Sequence, residues 1–238
     1  MEVKGKLRFI CIVLLILLMV GCATFERQAF NKTAHQDLKR IGLIEPACNK
    51  EYYVQNLGHA GMSFGLIGGL IAVADMQSKA NEFTELMKSR NFKVDNEFQG
   101  LLATELQNAG YSVKVIKTKR EKADFLNDYS SLDKDVDAYL DIGINAGYIC
   151  ASGMSDYVPA VRLSIRLVKR ETKDILYQDI ISYGYELRQS KAVQIDAEQR
   201  YFFKDFRAIT ENPALALEGL QKGLPLVAKR IAEDLIRQ

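Results

Sequence analysis

Cys22 is the side chain whose neighbours best prepare it for covalent chemistry. It ends Met19-Val20-Gly21-Cys22, which closes an uncharged apolar stretch starting at Phe9 behind Lys4, Lys6 and Arg8. A basic start, an apolar run of about 13 residues and a small residue before the cut mark an export signal, and the run is too short for an ordinary membrane span. A cysteine directly after the glycine offers a thiol that can carry acyl chains such as palmitate. The reading is a lipoprotein-type signal peptide over 1–21 and a lipidated terminus at Cys22. The alternative is a plain secretory signal with a chance cysteine, and Met19 stands where such sites usually carry leucine.

Of the remaining cysteines, Cys11 leaves with the signal, so Cys48 and Cys150 are left in the mature chain. Both fall at predicted strand ends. An oxidising envelope permits a disulfide between them, and closing so long a loop stabilises by on the order of 4–5 kcal/mol in the chain-entropy model. Two separate buried thiols are the alternative, because spacing along the chain does not give distance in space.

Other reactive groups are sparse. His59 is the one histidine of the predicted folded part, so a multi-histidine metal site within one subunit is not available. Ser63 follows it by four residues with no carboxylate placed to orient a base, which leaves a catalytic triad unfilled. Asp124, Asp128, Asp133, Asp135 and Asp137 lack the glycine turn and closing glutamate of a calcium-binding loop, so they read as a solvated acidic stretch. The sequence therefore supplies no acid, base, nucleophile, metal or cofactor set, and the expectation is a non-enzymatic protein.

Charge narrows the partners further. Removing residues 1–21 takes three of the 32 basic and one of the 30 acidic residues, leaving 29 against 29. A neutral mature chain gives no footprint for nucleic acid, and membrane attachment falls to the lipid anchor.

These groups must be positioned by elements that hydrophobic periodicity makes visible. Residues 22–38 are polar and aperiodic, as a lipidated tether would be, and a single domain is expected over 39–238. Ile41-Gly42-Leu43-Ile44 reads as a first strand and Tyr52-Tyr53-Val54 as a second. In Val94 to Ala109, Val94, Phe98, Leu101, Leu102 and Leu106 recur at helical spacing, Gly110 stops the helix, and Tyr111 to Val115 alternates as a strand. Val136 to Ile149, Tyr157 to Arg170 and Ile175 to Leu187 carry period-two patterns separated by turn residues. They predict an antiparallel meander with one wet face. On that face Arg162 and Arg166 form a basic row. Tyr177, Tyr183 and Tyr185 share a parity, as core or as an aromatic surface. Leu217, Leu220, Leu224, Val227, Ile231 and Leu235 form the stripe of a closing helix that begins near Pro213.

A lipoprotein signal, an early strand, Leu101-Leu102-Ala103-Thr104-Glu105-Leu106-Gln107-Asn108-Ala109-Gly110-Tyr111-Ser112-Val113, a long hairpin and a terminal helix together resemble bacterial envelope lipoproteins with the fold of the amino-terminal domain of TolB. That group includes the curli secretion lipoprotein and lipoprotein activators of penicillin-binding proteins. The resemblance spans roughly 39–236. It implies an α/β fold with a mixed, largely antiparallel sheet, helices packed on one face, and a role in binding or assembly without catalytic residues. Ala23 after the lipidated cysteine, by likeness to sorted lipoproteins, implies the outer membrane, facing the periplasm.

The segment 60–74 is the oddest of the mature chain. It has no charge, and Gly61, Gly65, Gly68 and Gly69 lie among Met62, Phe64, Leu66, Ile67, Leu70, Ile71 and Val73. As helix it would extend about 22 Å, short of a hydrocarbon core of about 30 Å. Three readings are open. It is an interior helix, as most apolar runs are; or a surface reserved for a partner or the bilayer, with Gly61-x-x-x-Gly65 admitting a second helix; or a phosphate-cradling loop, although it lacks the Lys-Ser/Thr ending. The expected interaction residues are Gly61, Phe64, Gly65, Leu66, Gly68, Gly69, Arg162 and Arg166. The functional expectation is a lipid-anchored binding or assembly component of the envelope, with an unidentified envelope protein or another copy as partner. A membrane-active oligomer and an enzyme on an envelope polymer are the alternatives.

Overall fold

The computed structural model describes residues 25–120, 122–185 and 191–236. Cys22 and the signal read over 1–21 lie outside the described residues.

Three short strands open the domain: Arg40–Ile44 (β1), Ala47–Cys48 (β2) and Tyr53–Asn56 (β3). Two helices follow, Gly65–Ser89 (α1) and Val94–Asn108 (α2), then strand Ser112–Ile116 (β4). The long strands are Ala138–Cys150 (β5), Val158–Lys169 (β6) and Ile175–Gly184 (β7), with Val193–Ile195 (β8) beside the last. Helices Phe206–Glu211 (α3) and Pro213–Leu235 (α4) end the chain. The sheet runs β4-β1-β5-β6-β7-β8, antiparallel along β5-β6-β7 and parallel elsewhere. β1, β2 and β3 lie end to end along one edge of β5, opposite Ala138–Leu140, Gly143–Ile144 and Gly147–Cys150. This is the α/β, mixed, largely antiparallel architecture expected.

The helices cover one face because their apolar stripes have nowhere else to go. In α2, Val94, Phe98, Leu102 and Leu106 are buried at every fourth position. Asp95 and Glu97 sit in its first turn, where carboxylates complement the helix dipole. The helix ends in a Schellman motif: Gly110 takes φ +92°, its N–H bonds the Gln107 carbonyl, and the Tyr111 N–H reaches back to Leu106. Pro213 starts α4, whose Leu220, Leu224, Val227, Ile231 and Leu235 are fully buried. The tyrosines beneath these helices are core. Tyr148 donates to the Ala216 carbonyl at 3.0 Å and Tyr177 to Asp234 at 2.9 Å, so each buried hydroxyl has a partner. Tyr183 is also buried, and the aromatic surface considered for this strand is thereby replaced by core packing.

The opposite face is not the wet face expected of a meander. The segment between β4 and β5 folds across it, and Ile44, Ile116, Tyr129, Val136, Tyr139 and Val168 form a second small core there. The anchor is Asp141, fully buried, which accepts from the Leu126 N–H at 2.8 Å and the Tyr129 hydroxyl at 2.9 Å and pairs with Arg120. Arg120 also donates to the carbonyls of Glu45 and Asp124. The acidic stretch is consumed by structure: Asp133 pairs with Lys114, and Asp135 and Asp137 pair with Arg40.

The expected tether is docked over its described part. Arg27 grips Asp179 through two hydrogen bonds of 2.6 and 2.7 Å, Gln28 exchanges both backbone bonds with Gln178 on β7, and Leu38 is buried in the main core. Residues 25–30 therefore shield part of the β7 edge that β8 leaves open.

Strand register also overturns the expected disulfide. Cys48 lies opposite Ile144, whereas Cys150 lies opposite Asn56, six residues farther along β5. At about 3.3 Å per residue that is about 20 Å, against the 7 Å limit for bridged Cα atoms. Both cysteines are free.

Candidate interaction surface

The segment that the sequence left open, 60–74, is neither interior helix nor glycine loop. Beyond β3 the chain turns at Gly58, whose N–H bonds the Asn56 side chain at 3.1 Å. His59 then caps a single 3-10 turn, Ala60–Ser63, its Nδ1 accepting from the Gly61 N–H at 3.0 Å. Phe64 ends that turn and precedes α1, and Gly65 takes φ +63°, which an L side chain disfavours. Gly61-x-x-x-Gly65 thus straddles a chain reversal and is not one face of one helix, which corrects the helix-contact reading of that spacing.

After the reversal the 3-10 turn and the first turn of α1 lie back to back. A Cβ added to Gly61 would stand 2.5 Å from the Gly68 carbonyl oxygen and 3.3 Å from Ala72 Cβ. Gly68 and Ala72 are the inward positions of this part of α1, and both are buried. Gly61, Gly68 and Ala72 face the protein and every large apolar residue of the segment faces out. Phe64 is 75%, Leu66 81% and Ile67 75% exposed, and Leu70, Ile71 and Val73 are exposed as well. Met62 on the 3-10 turn and Leu57 just before it extend the surface.

This inverts the ordinary amphipathic pattern, in which bulk turns inward. The second half of α1 restores that pattern, burying Ala80, Phe83, Thr84 and Met87 against the sheet. The helix is therefore held firmly by its carboxy-terminal half and presents its amino-terminal half. Gly69 lies on the open side, where an added Cβ would meet nothing within 4 Å. The first charges after the run form a closed group: Asp75 binds Lys79 at 2.6 Å and His59 Nε2 lies 3.5 Å away. The surface is neutral and its border carries both signs.

The basic row is engaged within the fold and does not join this surface. Arg166 donates from Nε to the Gln178 side chain at 2.7 Å and lies 4.2 Å from the centre of the Phe125 ring, and Arg162 is half-buried. Phe25 stacks on Phe125 with 6.4 Å between rings, so the docked amino-terminal segment adds to this cover. Sequence reasoning missed both Arg27 with Asp179 and Arg120 with Asp141, because each pair joins residues whose spacing carries no period.

Cys48 borders a cavity of about 260 Å³ between β2, α1 and α2, together with Thr84, Asp95 and Asn145. Burial, reinforced by the neighbouring Asp95 carboxylate, pushes its thiol up to about 12. The protonated thiol is a poor nucleophile. Cys150 is likewise raised by burial.

Among the described residues no helix is long and apolar enough to cross a membrane. No protein-family model and no curated protein matches the chain. Among solved structures, protein XCC0632 of Xanthomonas campestris, described with the family DUF330, aligns over 90% of this chain and 88% of its own at 7% identity and TM-score 0.41. The PelC dodecamer of Paraburkholderia phytofirmans aligns over 90% and 98% at 8% identity and TM-score 0.38. Hypothetical protein CT253 of Chlamydia trachomatis aligns over 84% and 99% at 11% identity and TM-score 0.41.

Proposed function

We propose that this protein is a lipid-anchored component of the bacterial envelope, held at Cys22 on the outer membrane facing the periplasm, and that it works by docking through the surface of 62–73 and not by turnover. The export signal ending in Cys22 and the resemblance to TolB-like lipoproteins support the placement. The observation that carries the docking role is the helix whose Gly68 and Ala72 face in while its large apolar residues face out. Ordinary monomers seldom expose contiguous apolar patches beyond a few hundred Å², and larger ones mark interaction sites. Leu66→Asp tests it in the full chain. Because Leu66 touches little of its own subunit, thermal unfolding stays as in the wild type while cross-linking in intact cells loses its adduct. A collapsed melting transition, or adducts at wild-type yield, overturns the proposal.

A further inference from the structure

We infer that the occupant of this surface is a second copy of this chain, the amino-terminal halves of two α1 helices packing against each other across a two-fold axis. The inference rests on the docking role proposed above and names its partner. Three observations favour a like partner.

The first is area. Phe64, Leu66, Ile67, Leu70, Ile71 and Val73 are 56% to 81% exposed, and covering them would supply much of the ~800 Å² that each partner buries in a standard interface. An isologous contact can thus be built largely on this one face of the domain.

The second is charge. Ala60 to Ala74 carries none, and the nearest charges, Asp75 and Lys79, neutralise each other. A partner selected by its charge would need an opposing sign here, and an anionic bilayer would favour Lys or Arg along the rim of an interfacial helix. A neutral aliphatic face is complementary to itself, which an isologous dimer requires.

The third is the placement of the docked amino-terminal segment. The docked amino-terminal segment pairs Gln28 with Gln178, which stands level with Arg166 and Asp141. The surface lies beyond Cys150, nine residues along β5, about 30 Å away at ~3.3 Å per residue. The docked segment 25–30 thus sits toward the other end of β5 and leaves the apolar face uncovered for a neighbour. Anchoring many copies on one membrane also raises their effective concentration.

The test is thiol cross-linking of the full-length protein in intact cells with a bis-maleimide. Leu70 sits mid-way along 65–74, so a two-fold contact brings its two copies together. The Leu70→Cys variant gives a band at twice the chain's mass. Val115→Cys gives none: Val115 is exposed but lies level with Leu140, ten residues from Cys150. Adding Ile67→Asp to Leu70→Cys lowers the doubled band at least tenfold. Adducts of the Leu70→Cys thiol with a different protein, or its protection from aqueous maleimide with no protein adduct, overturn the second copy while sparing the docking role. A doubled band that persists with Ile67→Asp also overturns the dimer. Free aqueous labelling with no adduct of any kind overturns the dimer and the docking role together.

Discussion

Gly61 and Gly68 meet backbone to backbone, each occupying the space that a side chain on the other would need. That contact seats the 3-10 turn on α1 and points Phe64, Leu66 and Ile67 outward. The glycines of this segment therefore do different work from one another. Gly68 allows close approach, Gly65 a positive φ, and Gly69 nothing that the described fold requires.

Opposite responses at adjacent glycines follow. Gly68→Ala drives a methyl into the Gly61 carbonyl and costs about 1–3 kcal/mol, as overpacking does. Gly69→Ala meets no atom and gains up to about 1 kcal/mol of helix propensity. Urea unfolding of the two variants checks this, and equal midpoints would contradict the packing described.

Asp141 concentrates the cost of disturbing the sheet's second face. Asp141→Ala strands the buried Arg120 charge and removes the acceptor of Leu126 and Tyr129, a loss of about 3–5 kcal/mol. Replacing the pair together, Arg120→Met with Asp141→Leu, recovers most of that loss. A single variant within 1 kcal/mol of wild type in denaturant titration would show that the pair does not hold the covering segment.

The amino-terminal segment is fastened more lightly. Arg27 is partly exposed but the Asp179 carboxylate is nearly buried, so Arg27→Ala costs about 1–3 kcal/mol of global stability, less than the loss at Asp141. It frees the backbone near Lys32, and trypsin cuts there about tenfold faster because local opening no longer breaks a bidentate contact. Limited proteolysis with mass detection reads this directly, and an unchanged cutting rate would mean that the segment is held by Gln28 and Leu38 alone.

The thiols give a pH dependence with a definite sign. Folding raises the Cys48 thiol from 9.0 to about 12 through burial, and the buried Tyr183 hydroxyl from 10.0 to about 12 for the same reason. Each group favours the folded state fully below its unfolded value. That contribution is lost as pH climbs from about 9 toward 12, because the unfolded chain releases the proton first. Stability therefore falls across that window, and Cys48→Ala makes the decline shallower. Iodoacetamide at pH 8 leaves Cys48 and Cys150 unlabelled in the native protein and labels both after denaturation without reductant. A requirement for reductant would restore the disulfide that the register excludes.

Most elements were legible because their signals are local. Val94 to Leu106 repeats at helical spacing and stops at a glycine, and the predicted α2 matches the observed one within a residue or two. Val161, Leu163, Ile165 and Leu167 alternate, and β6 follows. Such periods fix which face of an element is apolar, whatever it later packs against.

What the sequence by itself determined was a nearly balanced charge, the helix α2 with its apolar stripe, the long strands β5, β6 and β7, and the closing helix α4. Only the tertiary structure decided the fate of 60–74. A run apolar on every side has no periodic face, so its inward edge was chosen by close approach of Gly61, Gly68 and Ala72, which small side chains alone permit. The same holds for the cysteines and the second core. Pairing register put Cys48 and Cys150 about 20 Å apart, and Asp141 gained Arg120 and Tyr129 from loops whose spacing carries no period, because contacts between distant residues are set by how strands align and not by the residues that flank them.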